Sequence, residues 1–309
     1  MDITLHVKKD FDPNYSEYIT NVAYALEKGI CYEQDYEAAL ALYEIAADAG
    51  DETAMNNLGW MIHNGFGTTA DIPKAMALYE EAAELGSARA MVNLGNIFEF
   101  GVSEAGVDYE KAFEWYQEAA DLYDLDGMFN LANMFHHGWG VEQDYKRAYS
   151  IFELLAEDEY TAAFFYCGLY NQEGLGIEPD YKKAIEYYEL GMEAGNAFCF
   201  CQMGVMYGKG LGVEKDIRKA ISYYQQAADL GDPLGLTNIA WFYETGTGVE
   251  RNLDHALELY RTAAEAGENE YAPEGIERIL RKTATAGTGT TAVVGDAGID
   301  KIKEVFDVK

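Results

Sequence analysis

The sequence predicts an all-α protein, a right-handed solenoid of seven helix–turn–helix repeats of about 36 residues. Three observations predict it. The motif AAxxG or a close variant returns at Gly50, Gly86, Gly195, Gly231 and Gly267, with separations of 36, 109, 36 and 36 residues, and the long gap holds two degenerate copies ending at Tyr123 and Glu159. Small and apolar residues recur at helical spacing on both sides of a GxG turn. An aromatic residue stands at the same place in every copy: Tyr43, Tyr79, Tyr116, Phe152, Tyr188, Tyr224 and Tyr260. One such unit cannot bury its own apolar faces, so stacking must supply the core.

The elements follow in chain order. Residues 1–14 form an N-terminal extension in which Ile3, Leu5 and Val7 alternate with polar residues, without the apolar run of a secretory signal. The repeats fill 15–267, bounded at 15–50, 51–86, 87–123, 124–159, 160–195, 196–231 and 232–267. In the second copy Ala54, Met55, Leu58, Gly59 and Ile62 give the first helix its apolar stripe. Glycine pairs such as Gly65 with Gly67 and Gly210 with Gly212 accept positive φ and reverse the chain. Asp35, Asp71, Asp108, Asp144, Asp180 and Asp216, with Asn252 in the last copy, stand where the second helix needs an N-cap. The aromatic ladder precedes small pairs such as Ala46/Ala47 and Ala227/Ala228, which predicts core packing of rings on small residues, not a cofactor box. Residues 268–283 keep helical spacing at Ile276, Ile279 and Leu280 with added charge, as a cap on an open stack end requires. Residues 284–309 read as a flexible linker and a short amphipathic tail helix with Ile299, Ile302, Val305 and Phe306 on one face.

Of the 309 residues, 54 are acidic and 22 basic, a net charge of −32 that argues against nucleic acid or an anionic membrane as the partner. A hydrophobic content of 49% shows that the acidity sits on a chain able to build a core, not on a disordered tail. The most apolar stretch, 161–170, is too short to span a bilayer. Cys31, Cys167, Cys199 and Cys201 are too few to staple the fold and read as reduced thiols of a cytoplasmic protein.

The strings NLG(x)₅GxG, D(Y/I)xKA and YYxxAAxxG resemble the Sel-one-like repeat family, relatives of the tetratricopeptide repeat, across all seven units. The resemblance implies an adaptor or scaffold whose first helices line a concave groove. This sequence departs from the pattern at Tyr123 and Glu159, which replace the closing glycine, and at Ser103, which replaces the second turn glycine.

The seventh position of the repeat carries Asn21, Asn57, Asn93, Asn130 and Asn238, replaced by Tyr166 and Gln202 in copies five and six. With positions four, five, eight, nine and twelve apolar, positions three, six, seven, ten and thirteen or fourteen fall on the opposite face of the first helix. Two readings stay open: the amides bond between neighbouring first helices, or they meet the backbone of an extended client. On the same face lie Tyr24, Trp60 and Trp241, and in the middle copies Phe129, Phe165, Leu169 and Phe198. These rings either anchor the client or pack on the next repeat.

No catalytic, metal or cofactor residues are expected. His136 and His137 are adjacent and diverge by about 100° on a helix. Cys199 and Cys201 diverge likewise, no P-loop lysine follows a glycine run, and no Ser, His or Cys stands in a nucleophile frame. The expected partner is a basic or neutral protein or peptide segment with apolar anchors, and open stack ends leave a homodimer possible. The alternatives are a groove filled by the chain's own tail or by self-association, and, more weakly, a hydrolase.

Overall fold

The computed structural model describes residues 15–102, 106–268 and 270–288; the N-terminal extension, Ser103 and the tail segment 299–309 lie outside the described residues. Fifteen α-helices and no strand occur among those described. They pair as α1 Ser16–Lys28 with α2 Tyr36–Ala47, α3 Glu52–Asn64 with α4 Ile72–Glu84, and α5 Ala88–Phe100 with α6 Tyr109–Asp121. Then come α7 Leu125–His137 with α8 Tyr145–Glu157, α9 Thr161–Glu173 with α10 Tyr181–Glu193, and α11 Ala197–Lys209 with α12 Ile217–Asp229. The last pair is α13 Pro233–Thr245 with α14 Leu253–Glu265, followed by α15 Tyr271–Thr288, which continues five residues past the expected boundary at 283. Two compact units divide between Ile151 and Phe152, within α8.

Side-chain caps set the start of each second helix. Each expected cap is made: Asp35 accepts from the backbone N–H of Ala38, Asp71 from Lys74, Asp108 from Lys111 and Asp144 from Arg147. Asp180, Asp216 and Asn252 repeat the bond in the later copies. Such caps stabilise by about 1 kcal/mol each. Four of the seven first helices are capped as well, by Asp51, Asp124, Asn196 and Asp232, a role that the sequence pattern did not single out. Tyr123 and Glu159 adopt φ of 60° and 57°, the left-handed conformation of the glycines they replace. The junctions keep their path at the expense of backbone strain.

In the first unit the core is continuous through Leu26, Leu42, Leu58, Met61, Ile62, Leu94 and Ile97. Tyr43, Tyr79 and Tyr116 are fully buried in this unit, and Tyr188, Tyr224 and Tyr260 in the second. A Cβ added at Gly59 would lie 2.8 Å from the Tyr79 ring, and one at Gly95 would strike Tyr116. A ring of the second helix therefore rests on bare backbone of the first, which brings the two axes close and removes a large apolar surface from water. In the second unit Gly204 stands in the same relation to Tyr224, at 2.5 Å, and Gly168 to Tyr188. Phe152 stacks on Tyr166 with centroids 4.3 Å apart. Here the core runs through Tyr188, Cys199, Met203 and Met206, then Tyr224, Ile239 and Phe242, then Tyr260, Ala272 and Ile279.

Candidate binding site

The thirteenth position corrects the expected face. Glu27, Gln172 and Glu244 are buried, because each accepts the hydroxyl of the ladder tyrosine in its own repeat: Tyr43 to Glu27 at 2.9 Å, Tyr188 to Gln172 at 3.0 Å and Tyr260 to Glu244 at 3.0 Å. Half-buried Glu99 accepts from Tyr116 at 2.6 Å. Burial pushes these phenols upward, so they remain protonated donors. The sixth position is also mostly buried. Thr20 donates to Asp51 at 3.1 Å, Cys201 to Asp232 at 3.1 Å and Thr237 to Glu268 at 3.3 Å, each bond tying one first helix to the next.

In the first unit the structure brings four predicted residues to one place. Tyr24, Asn57, Trp60 and Asn93 line a cavity of about 350 Å³. Asn93 Nδ2 donates to Asn56 Oδ1 at 2.9 Å, Asn56 Nδ2 to Asn57 Oδ1 at 3.1 Å, and Asn57 Nδ2 to the Tyr43 hydroxyl at 3.4 Å. The amides thus link α5 to α3 and α3 to α2. Lys28 reaches across the same cavity, its ammonium 4.9 Å from the Trp60 ring centre and 5.7 Å from that of Tyr24. It pairs with Glu27 at 2.6 Å, and that hydrogen bond raises its pKa against the opposing effect of burial. Arg89, Asp124 and Asp126 complete the wall. Asn21 is exposed on α1, and Phe129 and Asn130 are half-buried on α7.

The second unit presents an apolar patch instead. Phe165 lies 5.3 Å from Tyr166 and 5.7 Å from Phe198, which is 53% exposed. Leu169, Gln202 and Asn238 are half-buried. Trp241 is not on a free face: it is 6% exposed and packs edge-on against Phe242 at 5.1 Å. Its position in the repeat suggested exposure, but the indole joins the core cluster of Cys201, Val205, Tyr224, Ile239 and Phe242.

Sequence reasoning missed Glu27, Lys28, Asn56 and Arg89 at the cavity. A signal for Glu27 was present: an acid or amide stands 16 residues before the ladder tyrosine in copies one, five and seven. No group of three or more His, Cys, Asp or Glu is placed to hold a metal among the described residues. Burial pushes the Cys199 thiol up to about 12, and those of Cys167 and Cys201 upward as well, so none is a ready nucleophile. No helix among the described residues is long and apolar enough to cross a membrane.

Paired helices in a register that repeats seven times define an α-solenoid. The Sel1 repeat model matches residues 16–51, 53–87, 88–124, 125–160, 161–196, 201–232 and 233–268, so the chain belongs to the Sel1 repeat family. Proteins of this family generally mediate protein–protein interaction as non-catalytic scaffolds. Among solved structures the chain is similar to a Sel1 repeat protein from Oxalobacter formigenes, with 26% identity and a TM-score of 0.72 over 79% of this chain and 96% of that one. It is also similar to c5321, a protective antigen of uropathogenic Escherichia coli displaying an SLR fold, with 25% identity and a TM-score of 0.68 over 89% of this chain. It spans 62% of the length of that antigen. No curated protein matches the chain significantly.

Proposed function

We propose that this chain is a non-catalytic adaptor that binds a peptide or helical segment of a client protein in its concave groove, on the face of the first helices turned away from the second helices. The observation that carries the reading is the cavity in the first unit. There amide side chains that both donate and accept line the same cavity as two aromatic rings, the combination that suits a peptide backbone with an apolar anchor. The Phe165–Phe198 patch in the second unit supports a separate apolar contact. The excess of 54 acidic over 22 basic residues favours a basic client and disfavours nucleic acid, and it makes binding salt-sensitive. Four free thiols support a cytoplasmic setting.

The test is peptide display panned on the intact chain and on a Trp60→Ala/Asn93→Ala variant whose helical circular dichroism is unchanged. Sequences enriched on the intact chain and lost on the variant are expected. Equal enrichment on both would overturn the reading for this surface.

A further inference from the structure

The carboxylate–tyrosine pair is built three times, and two of the three hold a cation. In repeat one Glu27 accepts from Tyr43 and binds Lys28 at 2.6 Å. In repeat seven Glu244 accepts from Tyr260 and is gripped by α15: Arg278 Nε and Nη2 reach its two oxygens at 2.9 and 2.7 Å, and Lys282 Nζ follows at 3.2 Å. Burial opposes ionisation of Glu244, yet Arg278 and Lys282 together hold its carboxyl below the ordinary value. Arg278 also donates to the Tyr260 hydroxyl at 3.3 Å. This is a guanidinium site filled from within the chain, with Arg278 Nε and Nη2 engaged.

Repeat three has the same pair without a Lys or Arg; the Glu99 charge acts on His137 instead, whose pKa is nonetheless lowered by burial. Tyr116 donates to Glu99 at 2.6 Å, and Asn96 Oδ1 lies 2.7 Å from the same hydroxyl. No Lys or Arg pairs with Glu99 among the described residues. The residue after Glu99 is Phe100, 68% exposed, where repeat one has Lys28. The register shows what replaces the arginine. In α15, Ala272 and Ile279 take the buried places that Gly127 and Met134 take in α7. That alignment sets Asn133 in the place of Arg278 and His137 in the place of Lys282. Asn133 Oδ1 is buried and meets no donor among the described residues. His137 is stacked on Trp139 with centroids 4.2 Å apart.

We propose that Glu99 and Asn133 form a receiving site for an arginine side chain of the client, which binds there as Arg278 binds Glu244. The chemistry is that of a planar fork of donors meeting a carboxylate in two parallel hydrogen bonds, with remaining N–H groups available to an amide oxygen. Arginine suits this better than lysine, whose ammonium cannot bridge both oxygens. Phe100 offers apolar surface to the aliphatic stem. The proposal rests on the adaptor reading for the identity of the occupant as a client protein, and it adds a residue type and a position.

The site can be tested without the client. N-acetyl-arginine amide, and its uncharged isostere N-acetyl-citrulline amide, are titrated at low salt into the ¹⁵N-labelled intact chain. Saturable shifts are expected at backbone amides of 96–101 and 130–137 with the arginine probe alone, and Glu99→Gln should weaken them on the order of tenfold. Asn133→Arg should supply the guanidinium internally, raising Tm and abolishing the response. An equal response to citrulline amide, or unchanged affinity in a folded Glu99→Gln chain, would overturn the proposal. Displayed peptides that bind the intact chain but ignore Glu99→Gln would remove this site and leave the adaptor reading standing. An arginine probe that binds at Glu99 while no displayed peptide is enriched would do the reverse.

Discussion

The seam between the two helices of each repeat and the outer face of the first helix share one register but differ in how freely their residues vary. Along the seam the choices are narrow, a ring from Tyr or Phe against Gly or Ala, because a methyl added at Gly95 already strikes Tyr116. On the outer face the seventh position passes from Asn to Tyr to Gln, and the tenth from Tyr24 and Trp60 through Asn96 and Asn133 to Leu169 and Trp241. Close packing dictates the first set, because interiors tolerate little change in volume. The second set can differ from repeat to repeat without loss of the fold, and so it can carry the identity of a partner.

The sharpest way to break this contrast is truncation on each side. Tyr224→Ala should cost about 3–5 kcal/mol, whereas Phe198→Ala should stay within about 0.5 kcal/mol, both read from urea unfolding. Similar losses would show that the outer face is core. Within the seam itself, hydroxyl removal should separate the repeats. Tyr260→Phe breaks the bond to buried Glu244 and should cost about 1.5–3 kcal/mol. Tyr79→Phe should be neutral or stabilising, because the Tyr79 hydroxyl is buried and meets no partner among the described residues.

A smaller effect is expected at the junctions. Tyr123 is 84% exposed at φ 60°, so Tyr123→Gly should raise stability by up to about 1 kcal/mol, with Tm as the readout. The smallest effect concerns His63, whose folded pKa is lowered by burial. The unfolded chain therefore binds the proton first, so this share of stability is present above about pH 6.5 and lost as pH falls through the folded value. The Tm of the natural chain relative to His63→Gln should fall between about pH 7.5 and 5. A constant difference would show that His63 titrates alike in both states.

Repeat number, turn glycines, N-caps and the buried ladder were legible because each is a local requirement that recurs in one phase along the chain. The outer face was legible only in part. Polar residues at positions six and thirteen were assigned to solvent because amphipathic patterning weighs polarity alone. The partners that bury Glu27 and Glu244 stand 16 residues away on another helix, and those of Asn56 include Asn93, 37 residues away. Trp241 was misplaced for a related reason: its helix has no polar side strong enough to orient it. The left-handed Tyr123 and Glu159 were visible as departures, and the structure shows that the path of the chain prevails over the preference of the residue.

The cysteines give the molecule built-in reporters. Cys31 is exposed at the first turn, whereas Cys167 on α9 and Cys199 and Cys201 on α11 are buried with thiols pushed upward. A thiol reagent in excess should modify Cys31 at once and the other three only when the second unit opens. Their labelling rates would then time the opening of α9 and α11 under native conditions, with no residue introduced and no denaturant present.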